Sequence, residues 1–254
     1  MKNRFELIVF DWDGTLMDSE ARIVDCIQRA AGDAEVAVPS NQAARDIIGL
    51  GLDEAIERVF PGAGEHAVRD IRHEGGAYTV DDRFRAPFLV GAGGTSCPVY
   101  RALFRDATPR DPALQAATLE LEFEYDWADP DCHLWFFDKD LPGYSWYVPK
   151  ADGYVNIGIG AMADKLKAQG GDIKSHWDCL IRKLERKRLI RGYAFDPKGY
   201  SYYLRGRVDR VRAGNAFLVG DAAGLATRDM CEGIGPAVES GLRAARAIGE
   251  GMDY

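Results

Sequence analysis

A short apolar run that leads into an acid and a glycine-rich turn constrains this chain more than any other feature. Residues 217–219 have the pattern of a strand, Gly220 and Asp221 come directly after it, and Gly224 follows in the same turn. An acid at the end of a strand can accept a hydrogen bond from a ribose or ribityl hydroxyl, and glycines let the backbone lie close to a pyrophosphate. The segment therefore predicts one wall of a cradle for a dinucleotide cofactor.

The next segment predicts the start of a helix. Gly233, Ile234 and Gly235 precede residues 236–250, where apolar residues recur at helical spacing. The first amides of a helix lack intrahelical partners and carry the positive end of its dipole, so they suit an anion or the electron-rich edge of a flavin ring. The side chains expected to face inward are Ala237, Val238, Gly241, Leu242, Ala245 and Ile248.

The remaining pattern divides the chain into two parts. From residue 68 onward, short apolar and aromatic runs bounded by turn residues predict a mainly antiparallel sheet. Strands are expected at residues 68–73, 77–80, 88–90, 119–125, 133–137, 144–148 and 154–159, and a helix at residues 173–189. Upstream, a strand at residues 5–10 and helices at residues 19–31, 41–48 and 52–60 predict a separate α/β opening.

Four segments of the second part, taken in order, resemble the geranylgeranyl-reductase-like group of FAD-dependent oxidoreductases, which share the p-hydroxybenzoate hydroxylase architecture. These segments are residues 89–101, 143–150, 156–160 and 217–241, and the resemblance covers about residues 66–250. It implies FAD as the cofactor and an unsaturated, apolar small molecule, such as an isoprenoid, as the substrate.

The same resemblance implies roles for individual residues. FAD would be contacted by Gly220, Asp221, Gly224, Gly233, Ile234 and Gly235. The substrate side would be lined by Tyr144, Trp146 and Pro149. For the aromatic residues an alternative stays open, since half-buried strand positions commonly carry aromatic side chains for packing alone. Gly93 stands where many relatives carry an aspartate, so that loop is not expected to supply a carboxylate.

The N-terminal segment has a different signature. Residues 10–16 read Phe-Asp-Trp-Asp-Gly-Thr-Leu after a short apolar run. In a phosphoryl-transfer site Asp11 would be the nucleophile and Asp13 would protonate the leaving oxygen. Mg²⁺ held by the Asp11 side chain and the Asp13 carbonyl would neutralise the phosphate charge. Residues 4–61 resemble the phosphoglycolate-phosphatase-like branch of the haloacid dehalogenase superfamily, with a helical cap beginning at Asp18.

Each resemblance is incomplete. The phosphatase family also needs a later Ser or Thr, a lysine and a late acidic motif. Asp221 is the best candidate for the acidic motif, but no second acid follows it at the usual short spacing. The flavoprotein family opens on a strand, a G-x-G-x-x-G loop and a helix that hold the ADP pyrophosphate. Here Asp11 and Asp13 stand at that opening, and carboxylates facing a pyrophosphate are unfavourable without Mg²⁺. We therefore expect weak FAD retention.

The expected fold is α/β. Residues 63–254 are expected to form an incomplete FAD-binding flavoprotein fold with a mainly antiparallel substrate-domain sheet, preceded at residues 1–62 by a haloacid dehalogenase-like strand and helical cap fragment. Three kinds of function remain open: an impaired FAD-dependent oxidoreductase, a Mg²⁺-dependent phosphatase that works through Asp11 and Asp13, and a non-catalytic chimeric product.

The composition of the chain disfavours several kinds of binding partner. A formal net charge of −8 disfavours nucleic acid as a partner. The five cysteines are scattered, odd in number and contain no C-x-x-C pair, so they support neither a zinc site nor a disulfide framework. No apolar run approaches the roughly 18 residues that a membrane span needs. A cytoplasmic setting is expected, and peripheral membrane contact stays open.

Overall fold

The computed structural model describes most of the chain beyond residue 67 and a smaller share before it. The described residues are 20–33, 37–47, 58–59, 68–150, 153–208, 210–251 and 253–254. The chain separates into two units, Met1–Asp70 and Ile71–Tyr254. The domain boundary that the sequence predicts, between residues 62 and 63, lies outside the described residues.

The described part of the first unit is helical. Helix α1 spans Glu20–Asp33 and helix α2 spans Asn41–Arg45, where the sequence predicts helices at residues 19–31 and 41–48. Ser40 caps α2 by accepting a hydrogen bond from the backbone amide of Ala43 at 3.1 Å. The predicted strand at residues 5–10, together with Asp11 and Asp13, lies outside the described residues, as does all but residues 58–59 of the predicted helix at 52–60.

The second unit contains three sheets. A three-stranded antiparallel sheet consists of β1 (Ile71–Glu74), β2 (Ala77–Val80) and β3 (Phe84–Ala86). The main sheet consists of β5 (Gln115–Glu124), β6 (His133–Phe136), β7 (Gly143–Lys150), β8 (Tyr154–Met162) and β9 (Lys198–Tyr203). It has the strand order β6-β7-β8-β5-β9 and is antiparallel throughout. The smallest sheet consists of β4 (Leu89–Gly91), β10 (Arg212–Ala213) and β11 (Ala216–Leu218).

The two faces of the main sheet differ because side chains alternate along each strand. After helix α3 (Ala163–Ala168), the chain forms helix α4 (Ile173–Arg186), which covers one face. Buried side chains from both elements share one core there: Tyr147, Ile157, Ile159, Trp177, Leu180 and Leu184. Burial of apolar area of this kind is the main favourable contribution to folding. The opposite face carries Tyr144 and Trp146.

Helix α5 (Ile234–Glu250) packs against the smallest sheet, where Phe217 contacts Ala244 and Ala247. The inward face predicted for this helix was wrong in part. Its buried residues are Pro236, Ser240, Ala244 and Ala247, whereas Ala245 is exposed and the other five predicted residues are half-buried. Ser240 is buried although it is polar, because its hydroxyl accepts a hydrogen bond from the amide of Gly220 at 2.9 Å.

The fold class follows the prediction: the unit is mixed α/β with a mainly antiparallel main sheet. The sequence prediction missed the strands β3, β9 and β10. Among the described residues, no helix combines the length and the apolar character that crossing a bilayer requires.

Candidate functional site

The predicted cradle lies where two parallel strands end side by side. Strand β11 pairs in parallel with β4, and the amide of Val219 donates to the carbonyl of Gly91 at 3.1 Å. Gly220 then turns the chain with a φ of +54°. A Cβ on Gly220 would lie 3.0 Å from the Cβ of Ala237, so glycine is needed both for the turn and for the approach of α5.

Asp221 lies in this turn with its carboxylate half-buried. The hydroxyl of Tyr200, on β9, lies 3.4 Å from one carboxylate oxygen and donates to it. Burial raises the pKa of Asp221, while the Tyr200 hydrogen bond and the Arg110 charge oppose that rise. The carboxylate is therefore an acceptor for a hydroxyl group in a partly dry setting, and this arrangement fits the ribityl or ribose part of a nucleotide cofactor.

The start of α5 lies against that carboxylate. A Cβ on Gly233 would come within 3.2 Å of a carboxylate oxygen of Asp221, so a glycine there permits the close approach. The amide of Gly235 donates to the Glu232 carboxylate at 2.7 Å. This carboxylate satisfies one amide that the sequence predicts to be free, and it places a negative charge at the positive end of the helix dipole. Ile234 is largely exposed.

A cavity of about 460 Å³ opens on the uncovered face of the main sheet. Its wall includes Phe136, Tyr144, Trp146, Gly160, Tyr202 and Cys231. The indole of Trp146 lies over Gly158, where a Cβ would be only 2.0 Å from the ring. The ring is fixed because its N–H donates to Asn156 Oδ1 at 2.7 Å, and Asn156 in turn donates to Glu120 at 2.6 Å.

One loop connects the cavity to the cradle. The Tyr144 hydroxyl donates to the carbonyl of Met230 at 2.8 Å, and the Tyr202 hydroxyl donates to the carbonyl of Cys231 at 3.1 Å. Burial raises the pKa of Tyr202, so its hydroxyl keeps its proton. Cys231 has a φ of +59°, a conformation that costs free energy for a residue other than glycine. The next residues, Glu232 and Gly233, already belong to the cradle.

The predicted site residues fall into two groups. The six predicted cofactor residues surround the turn after β11 and the start of α5. Tyr144 and Trp146 are half-buried strand residues and also line the cavity, whereas Pro149 lies further along β7 opposite Val155 and is not part of the cavity wall. Asp11 and Asp13 lie outside the described residues. Within the described ranges no group of three or more acidic, histidine or cysteine side chains could hold a metal ion.

Sequence reasoning missed four side chains that shape the site: Arg110, Asn156, Tyr200 and Tyr202. The Tyr-Ser-Tyr-Tyr run at residues 200–203 carried a usable signal, since alternating aromatic residues are typical of strands. Arg110 carried none, because it lies in no motif and its hydrogen bonds go to the carbonyls of two other segments, at Thr95 and Ala222.

Comparison with known proteins finds one kind of relative for the N-terminal part of the chain and another for the rest. Residues 8–79 match the family model described as haloacid dehalogenase-like hydrolase, a match that ends within β2. The menaquinone reductase of Mycolicibacterium smegmatis is 35% identical over 126 residues, which are 46% of this chain and 29% of that protein. Digeranylgeranylglycerophospholipid reductase 3 of Methanosphaera stadtmanae is 26% identical over 196 residues, or 72% of this chain and 47% of that protein.

A solved structure supports the fold assignment. The geranylgeranyl bacteriochlorophyll reductase-like protein of Thermoplasma acidophilum has a TM-score of 0.58 and 21% identity, and the match covers 72% of this chain and 49% of that one. The chain thus spans about half or less of the length of these relatives. It joins a segment similar to the haloacid dehalogenase-like hydrolases to a longer region that resembles the geranylgeranyl-reductase-like flavoproteins in sequence and in fold.

Proposed function

We propose that Ile71–Tyr254 is the flavin-contacting and substrate-contacting region of an FAD-dependent reductase of the geranylgeranyl-reductase-like group. One observation carries the proposal: the loop of Met230 and Cys231 joins the wall of an aromatic cavity directly to the Asp221 cradle. A cofactor and a substrate bound at these places would be neighbours, as hydride transfer requires.

The residues of this chain would have distinct tasks. Bound FAD would supply the hydride chemistry. Asp221 would accept a hydrogen bond from a cofactor hydroxyl, and the glycines of the turn would allow close approach. Trp146, held by Asn156, would form an apolar wall that orients the substrate and keeps water away.

The substrate class follows from the cavity wall and the relatives. The wall is largely aromatic and aliphatic, and the relatives are named for menaquinone and for digeranylgeranylglycerophospholipid. We therefore propose a long, unsaturated, apolar small molecule. Such a substrate resides in membranes, so peripheral membrane contact is part of the proposal. Phe136 and Phe137, both exposed, lie at the cavity, and co-sedimentation with lipid vesicles would test this contact.

The first test is a flavin titration. We expect the purified protein to bind FAD at equilibrium, seen as a change in flavin fluorescence, but to lose most of it on desalting. The reason is in the sequence, because residues 10–16 carry two aspartates and not the G-x-G-x-x-G loop that holds a pyrophosphate in the flavoprotein family. A visible flavin spectrum that survives desalting would contradict the weak retention. No change in flavin fluorescence with a demonstrably folded protein would contradict the proposed function itself.

The cavity can be tested separately with Trp146→Phe. Loss of ring area and of the indole N–H that fixes the ring should weaken binding of a short-tailed menaquinone analogue by about 5- to 10-fold. Quenching of tryptophan fluorescence would measure the binding. Trp127→Phe is the matched control, since Trp127 donates to the carbonyl of Lys150 and does not line the cavity. Equal affinities in both variants would place the ligand elsewhere.

A phosphatase remains the second candidate, because residues 8–79 match the hydrolase family model. It predicts Mg²⁺-dependent phosphate release from p-nitrophenyl phosphate, lost in Asp11→Asn. A folded protein that neither binds flavin nor releases phosphate would instead be the non-catalytic chimeric product.

A further inference from the structure

Arg110 contacts two loops, the one after β4 and the one after β11, although it belongs to no cofactor motif. One terminal guanidinium nitrogen donates to the carbonyl of Thr95, in the loop after β4. The other donates to the carbonyl of Ala222 at 2.9 Å, with a longer contact of 3.5 Å to that of Asp221. A single side chain therefore joins the ends of the two parallel strands β4 and β11.

Two aromatic rings hold the guanidinium in this position. Its central carbon lies 3.8 Å from the ring centroid of Tyr100 and 5.1 Å from that of Tyr203. Both contacts are in the range of cation–π attraction. Tyr100 precedes Arg110 and Tyr203 ends β9, so the guanidinium also ties the main sheet to the cradle.

The position is an unfavourable one for a cation. Burial lowers the pKa of Arg110, although arginine stays protonated at any ordinary pH. Two polar atoms at the same junction, Arg110 Nε and Thr95 Oγ1, are buried without a hydrogen-bond partner among the described residues. Because removing a charged group from water costs free energy, the burial of Arg110 is weak evidence for a role in stability.

We propose that Arg110 is a positioning residue of the flavin site: it fixes the spacing of the two loops and, through the Asp221 and Ala222 carbonyls, the direction of the Asp221 carboxylate. This inference rests on the proposed flavin function. The planar fork of arginine is required, because it reaches carbonyls on two segments at once, whereas the compact ammonium of lysine is a point charge.

The test compares Arg110→Met and Arg110→Lys with Arg105→Met, which removes an exposed arginine five residues upstream. Amide hydrogen exchange is measured without flavin, and FAD affinity is measured by fluorescence titration. We expect both Arg110 variants to exchange at least about tenfold faster in residues 93–97 and 219–224, with β7 and β8 unchanged. FAD affinity should fall by about tenfold or more in both.

Each other result has a defined meaning. Faster exchange throughout the unit would mean that Arg110 acts through general stability, which overturns the inference. Unchanged loops, or full recovery with Arg110→Lys, would overturn it as well. If the wild-type protein binds no flavin, the proposed function fails, and the positioning role fails with it; hydrogen exchange then decides only whether Arg110 joins the two loops.

Discussion

Replacing Gly143 with alanine should severely destabilise the second unit. The new Cβ would lie 2.0 Å from the carbonyl oxygen of Gly160 and 2.9 Å from the Cα of Ala161. Both neighbours are backbone atoms of β8, so no side-chain rotation relieves the clash and the β7–β8 pairing must open. We expect a loss of about 3 kcal/mol or more in the free energy of unfolding, measured by urea denaturation followed by circular dichroism.

Gly241→Ala is the matched control for that experiment. Gly241 lies within helix α5, and a Cβ there would meet no atom within 4 Å. Alanine should stabilise the helix by about 0.5–1 kcal/mol because it restricts the unfolded chain. Equal unfolding midpoints for Gly143→Ala and the wild type would show that β7 and β8 do not approach each other as closely as the structure has them.

Asp221→Asn should make the protein more stable and less able to bind flavin. Because burial raises the pKa of Asp221, the folded state holds this proton more tightly than the unfolded state does. Stability is therefore lost as the pH rises from the ordinary aspartate range through the raised pKa, and it stays lost at neutral pH. Asparagine removes that loss, but it also removes the charge-assisted hydrogen bond to a cofactor hydroxyl, so FAD affinity should fall by about 10- to 100-fold.

Thermal unfolding across the pH range separates the two effects. The midpoint of Asp221→Asn should exceed that of the wild type at about pH 7 and converge with it below the ordinary aspartate range. Asp178→Asn, an exposed change on α4, should match the wild type in both stability and flavin titration. A lower midpoint for Asp221→Asn at neutral pH would mean that the carboxylate stabilises the fold as a charge.

Local patterns predicted much of this fold. Strand β2 and the start of α4 lie where the sequence places them, because their alternating or helical spacing reflects a face that must be buried. The turn at Gly220 and Asp221 could also be predicted from the sequence, since a glycine and an acid directly after a strand indicate a turn. Ser240 was missed on α5 because apolar spacing does not register a polar residue that bonds a buried amide.

The remaining features depend on contacts between distant residues. Arg110 donates a hydrogen bond to Ala222, which lies far later in the chain. Trp146 donates to Asn156 only once β7 and β8 have paired in their register. Tyr200 meets Asp221 because β9 pairs with β5, a strand that lies far earlier in the chain. Spacing within a short window carries no information about such pairs, so a single sequence does not predict them.

The loop between the cavity and the cradle has a consequence for how two ligands would influence each other. Tyr144 and Tyr202 hold the carbonyls of Met230 and Cys231, and the chain continues at once into Glu232 at the start of α5. A molecule that displaces either tyrosine would shift the segment that faces the cofactor. Thermodynamic reciprocity then requires that a ligand in the cavity changes the affinity for flavin by the same factor by which flavin changes the affinity for that ligand. Final occupancy would not depend on which of the two arrives first.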